Sequence, residues 1–186
     1  SDALREFRTL YPSAVVERAL ASGTRITHDY ELHQGALPLP ATLSMLLGKR
    51  LTKSLGGDVR LYSDLPFPWR AETGEPLDDF QLKALEKLRD DPSEPVLRFE
   101  EQNGLMVVRY ATADMMRDSC VECHNTHPDS PKRDWKVGDV RGVLSVTRPI
   151  EHGASPVRAS LRLVIGLLAG LAVLALIVLG SAAIRL

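Results

Sequence analysis

The fifteen residues VLRFEEQNGLMVVRY, positions 96–110, decide the fold. Val96–Glu101 and Leu105–Tyr110 read as two strands joined by a turn that contains Asn103-Gly104. Asn-Gly tolerates the positive backbone angles of a tight turn, so this is the clearest hairpin signal in the chain. A hairpin commits the sheet to antiparallel pairing. Val140–Arg148 reads as a further strand, and Val59-Arg60-Leu61-Tyr62 as a short one, because apolar and polar residues alternate there.

Helical patterns surround these strands. Leu77, Phe80, Ala84 and Leu88 share one helical face, with Asp78 and Asp79 in the first turn and Lys87 and Arg89 in the last, as the helix dipole favours. Leu43, Leu46, Leu47 and Leu51 mark a second helix, entered after Pro38 and Pro40 and ended at Gly56-Gly57. Leu4, Phe7, Tyr11 and Val15 mark a third over Asp2–Ser22, which Pro12 kinks or restarts. Few strands interleaved with helices predict an α+β fold, one antiparallel sheet with helices on one side.

The chain holds two cysteines, and they sit three apart in Cys120-Val121-Glu122-Cys123-His124. C-x-x-C-H is the spacing of covalent c-type haem attachment: two thiols take the vinyl groups and the adjacent imidazole falls under the iron. A structural zinc would need four ligands, which Cys120, Cys123, His124 and His127 could supply only in an unusually tight cluster. A redox dithiol expects a βαβ setting, and none is visible nearby. One haem c is therefore the expected cofactor, with His124 its axial ligand.

Net charge is −1, from 23 basic and 24 acidic residues, without a basic block; nucleic acid is not an expected partner. No second metal set or nucleophile constellation appears, so an enzyme is not expected. Leu163–Ile184 runs 22 residues without a charge, enough to predict a C-terminal transmembrane helix. The predicted division is a haem domain over 1–152 and a juxtamembrane segment with its helix over 153–186. Arg158, Arg162 and Arg185 flank that helix on both sides and do not orient it. C-type haem is attached outside the cytoplasm. The haem domain is then expected in the periplasm of a bacterium, anchored in the inner membrane with a cytoplasmic C-terminus, after a leader that Ser1 does not show. Gly166 and Gly170 form G-x-x-x-G, which allows a homodimer or a larger membrane complex through helix pairing.

RYATADMMRDSCVECH (109–124) and GDVRGVLSVTRPI (138–150), with Val59–Ser63 and the Leu77–Leu88 helix, resemble the Tll0287-like family of periplasmic c-type haem domains over most of residues 10–150. The resemblance implies a PAS-like fold and a sensory role, because such domains often form the outer part of receptors. Some relatives use a cysteine as second iron ligand; here both cysteines are expected to be consumed by attachment. Candidates for the sixth position are His28, His33, His127, His152, Met45, Met106, Met115 and Met116. His28 is preferred, with Met45 the alternative, because the N-terminal half could close over the distal face. Met116 could line the haem edge. Lys132, Arg133, Lys136 and Arg141 could pair the propionates, and Trp69 and Trp135 could stack on the porphyrin. A membrane-anchored redox or small-ligand sensor is the expected function. An electron-transfer cytochrome or accessory haem subunit is the alternative.

Overall fold

The computed structural model describes residues 2–72, 74–150, 161 and 163–171. The chain divides into two compact units, Ser1–Ile150 and Glu151–Leu186.

The first unit is built on four antiparallel strands: β3 (Asp58–Tyr62), β4 (Val96–Gln102), β5 (Leu105–Met115) and β6 (Val140–Pro149), in the order β3-β6-β5-β4. The hairpin lies where the sequence puts it. Gln102 pairs with Leu105 across a two-residue turn, and Asn103 and Gly104 carry φ of 53° and 77°. Both angles are positive, the requirement that selects Asn-Gly. β5 runs on to Met115, five residues past the end at Tyr110 that the alternation predicts. A short parallel pair, β1 (Ile26–Thr27) with β2 (Leu37–Pro38), lies apart from this sheet.

Helix α5 (Asp79–Asp90) covers one face. Its N-terminus is a capping box: Gln81 N–H donates to the Asp78 side chain and Asp78 N–H to the Gln81 side chain. Two orphan donors are thereby satisfied. The same Asp78 carboxylate accepts from Arg109 of β5 at 2.8 Å, which ties the cap to the sheet. Phe80, Ala84, Leu85 and Leu88 then pack on Ala111 and Val143 as the core. Burial of each large side chain contributes about 1.5–3 kcal/mol.

The other face is not bare. The α3 helix (Pro40–Leu55) brings Gly48 against Val59, and α1 (Asp2–Tyr11) reaches β5 through Arg8. Cross-strand partners share a face, and Val59 stands opposite to the Tyr62–Val143 row. Helices thus flank both faces rather than one, although the α+β class holds. From α1 the chain stays helical through a π turn at Pro12–Val16 into α2 (Glu17–Ala21). Pro12 has no N–H to donate, and Glu17 N–H reaches back five residues to its carbonyl.

In the second unit, residues 163–171 are helical. The expected transmembrane helix over Leu163–Ile184 is corrected here: among the described residues no helix is long and apolar enough to cross a membrane. The remainder of that stretch, and His152, lie outside the described residues.

Candidate functional site

The C-x-x-C-H motif sits on α6 (Asp118–Thr126), within the excursion that joins the two central strands. Arg117 is extended and Asp118 places a carboxylate in the first turn, where the helix dipole favours it. The helix stops at His127, extended at φ −63°, ψ 130°, because the next residue is Pro128. Helical spacing sets Cys120 and Cys123 on one face. Both are free thiols, the first half-buried and the second exposed. Although its surface is open, the Cys123 thiol is raised above the usual range, first by burial and then by Cys120 and Glu122. A redox dithiol needs the opposite shift.

His124 is half-buried on the inward side of α6. Burial, and after it the charge of Arg141, draws its imidazole down to about 4, so the ring is neutral at pH 7. Its Nδ1 faces Arg141 Nε at 3.4 Å. The other Arg141 nitrogens donate to Ser63 Oγ at 2.7 Å and to the Leu65 carbonyl at 2.9 Å. Sheet geometry aims this arginine. Asp114 pairs with Gly142 and Met115 with Val140, so Arg141 is the extra residue of a bulge. Bulges re-aim side chains. Gly142 makes room beside it: a Cβ there would lie 2.5 Å from the Tyr62 carbonyl.

Arg141, one of the four basic residues that could pair a propionate, lies against His124 and the 63–65 loop. An Nδ1 that accepts from Arg141 leaves the ring proton on Nε2. Metal ligation through Nε2 would shift that proton to Nδ1 and turn the Arg141 contact away.

Aromatic rings form a pile beside His124. Phe67 touches it at 5.4 Å between centroids. Trp69 stacks on Phe67 at 4.6 Å, and His28 stacks on Trp69 at 4.2 Å with the planes 8° apart. His127 abuts Phe67 and Trp69 edge-on, and its Nδ1 accepts the Asp129 N–H. The fold therefore brings His28 from the N-terminal half to the motif's neighbourhood, with two rings between the imidazoles. An open cavity of about 360 Å³ adjoins His28 and is lined by Asp29, Tyr30, Glu31, Leu32, Thr42 and Leu46.

The other candidates separate from the pile. His33 is held by Asp29 at 3.1 Å, and Asp29 is pulled down to about 2, chiefly by the Thr27 hydroxyl. Met45 is half-buried on α3 between Thr42 and Leu46. Met106 and Met115 are half-buried strand residues of β5. Met116 is 2% exposed, and its backbone clasps the excursion's base through Asp139 and Gly138. Lys132 pairs Asp134 and stands over the Trp135 ring. Arg133 donates to the Pro128 carbonyl, and the Lys136 N–H to Asp139.

Sequence reasoning passed over Phe67, Ser63 and Arg70. Phe67 lies between Pro66 and Pro68, whose rigid backbones are the only local sign of a fixed presentation. Arg70, on α4 (Pro68–Ala71), is lowered by burial and carries no ion pair among the described residues. Trp135 is 5% exposed, and its indole N–H has no partner among the described residues. Asn125 holds the Trp135 backbone from both sides at 2.9 Å, locking the following loop onto α6.

Among the described residues no group of three or more His, Cys, Asp or Glu is placed to hold a metal ion. The tight zinc cluster is thus not assembled. Two free thiols one turn apart, a neutral imidazole next to them and two donors without a partner among the described residues, the Arg70 guanidinium and the Trp135 indole, suit an anionic macrocycle that brings its own metal. Residues 3–149 match the family model described as Tll0287-like. No curated protein matches the chain.

Proposed function

Because the chain belongs to the Tll0287-like family, we propose that it is a periplasmic domain carrying one haem c and sensing redox state or a small iron ligand. The observation that carries this reading is α6: Cys120 and Cys123 free on one face, with His124 neutral and half-buried beside them. Cys120 and Cys123 would hold the group by thioethers and His124 by its imidazole. The haem supplies a one-electron couple and, where the sixth position is open or weakly held, a site for a small ligand.

This chain's own residues set the surroundings. Phe67 and Trp69 exclude water on the side of His124 that faces His28. Arg141 anchors the 63–65 loop, and Arg70 and the Trp135 indole remain for carboxylates. His28 is the proposed sixth ligand. Trp69 and Phe67 stand between it and His124, so ligation by His28 would need those rings to move and would couple the state of the iron to the fold, which supports sensing. Exposure of Cys123 favours the second reading, an electron-transfer domain with a haem edge near the surface.

The test is the chain matured with a haem-attachment system. A peptide spanning 118–126 should gain the mass of one haem, and Cys120→Ala with Cys123→Ala should abolish the gain. Carbon monoxide should shift the ferrous spectrum, and more readily in His28→Ala. A peptide of unmodified mass overturns the haem. A spectrum indifferent to carbon monoxide in both proteins removes the small-ligand role and leaves the redox one.

A further inference from the structure

β4 ends the sheet, and among the described residues its outer edge has no neighbouring strand. Two large apolar side chains stand on it in the open: Leu97 is 54% exposed and Phe99 60%. An unpaired edge with exposed apolar residues is a template for another strand.

Backbone geometry says which groups are free. Ile150 N–H donates to the Met106 carbonyl, so the even-numbered residues of β5 face β6. Its odd-numbered residues, Leu105, Val107, Arg109 and Ala111, therefore face β4, opposite Gln102, Glu100, Arg98 and Val96. The two-residue turn agrees, since the residues flanking such a turn form a hydrogen-bonded pair. Leu97, Phe99 and Glu101 are left with N–H and C=O groups pointing away from the sheet.

We infer that β4 pairs with β4 of a second copy, antiparallel about a two-fold axis at Phe99, joining two four-stranded sheets into one. Charge selects this register. An axis at Arg98 would oppose two arginines, and one at Glu100 two glutamates. An axis at Phe99 sets Arg98 opposite Glu100 of the second copy, twice by symmetry, and opposite charges directly across a ladder are favourable. The outward groups of Leu97, Phe99 and Glu101 then meet those of Glu101, Phe99 and Leu97. Pro95, which has no N–H, ends the ladder beyond Leu97. The second copy is the occupant because the edge complements itself: of the axes at Arg98, Phe99 and Glu100, the one at Phe99 sets opposite charges across the ladder.

The test is the oligomeric state of the full chain by sedimentation. The wild type should dimerise, and amide exchange at Leu97, Phe99 and Glu101 should slow as concentration rises, while Arg98 and Glu100 stay protected throughout. Phe99→Pro removes one outward donor and none that β5 uses, so it should abolish the dimer. Phe99→Val keeps that donor and should only weaken it. Arg98→Glu turns two attractive pairs into repulsive ones and should weaken association at least about tenfold. Arg98 is half-buried, bonds Asp79 and Glu100 and lies 5.1 Å over the Phe80 ring, so urea unfolding of this variant is measured alongside. Phe99→Pro and Phe99→Val, which touch none of these contacts, carry the test on their own if it unfolds. A wild type still monomeric at about 1 mM overturns the inference. So does a dimer that Phe99→Pro and Arg98→Glu both leave intact, since it would use another surface.

Discussion

Arg8 provides a severe test of how the two halves of the first unit are joined. Its Nε donates to Asp114 Oδ1 at 2.9 Å and its Nη2 to Oδ2 at 2.5 Å. Its Nη1 donates to Ser44 Oγ at 3.0 Å. One guanidinium thus fastens α1 to β5 and to α3. The two side chains are 11% and 7% exposed, so both charges are largely out of water. Arg8→Met keeps most of the stem and removes the charge. Asp114 is then left buried, with Arg117 at 3.9 Å the nearest remaining cation. Breaking a buried pair typically costs 3–5 kcal/mol, and Arg117 recovers part, so a loss of about 3 kcal/mol is expected. That corresponds to a fall in Tm of about 6–12 °C for a domain of this size. Arg8→Met with Asp114→Leu removes both charges and should regain most of the loss, because the penalty belongs to the stranded carboxylate rather than to a missing attraction. Urea and thermal unfolding of the three proteins measure this. A single variant that loses under about 1 kcal/mol, or a double variant no better than the single, would refute the account.

Two further outcomes are expected. Gly142→Ala would press a methyl group against the Tyr62 carbonyl, a backbone atom that cannot step aside, and should cost about 2 kcal/mol in urea unfolding; an unchanged midpoint would mean that the two strands separate freely there. Asp64 is held below the ordinary carboxylate range, first by its hydrogen bonds to Arg89. Its folded pKa is depressed, so its contribution is present above the unfolded value of about 3.9 and is lost as pH falls through the folded value. Asp64→Asn should flatten that acid limb by under about 1 kcal/mol, because both side chains are more than a third exposed. Superimposable acid limbs would contradict the assignment.

The hairpin and α5 were legible because local chemistry alone selects them. Asn103-Gly104 suits one turn, and Asp78 with Gln81 suits one helix start. The length of β5 was not legible. Thr112, Asp114 and Met115 are strand because β6 pairs with them from some thirty residues away, not because of their own preference. The motif on α6 announced itself, since thiols three apart with a histidine next carry their meaning in spacing. The shell around it did not. Phe67, Ser63 and the bulge at Arg141 belong to the site only after β3 and β6 have paired. The apolar run from Leu163 was read by its length and lack of charge; among the described residues no helix is long and apolar enough to cross a membrane.

The neck of the excursion has a consequence for how the chain matures. Met116 and the pair Gly138 and Asp139 close it with two backbone bonds of 2.8 and 2.9 Å, below the helix that carries the thiols. The segment between them leaves and re-enters the sheet at one point, and Phe67, against His124 and His127, with Arg141, against His124 and Trp135, holds it to the body above that clasp. Any group arriving from outside therefore meets a helix already fastened at its base and along His124, and finds Cys123 the more open of its two thiols.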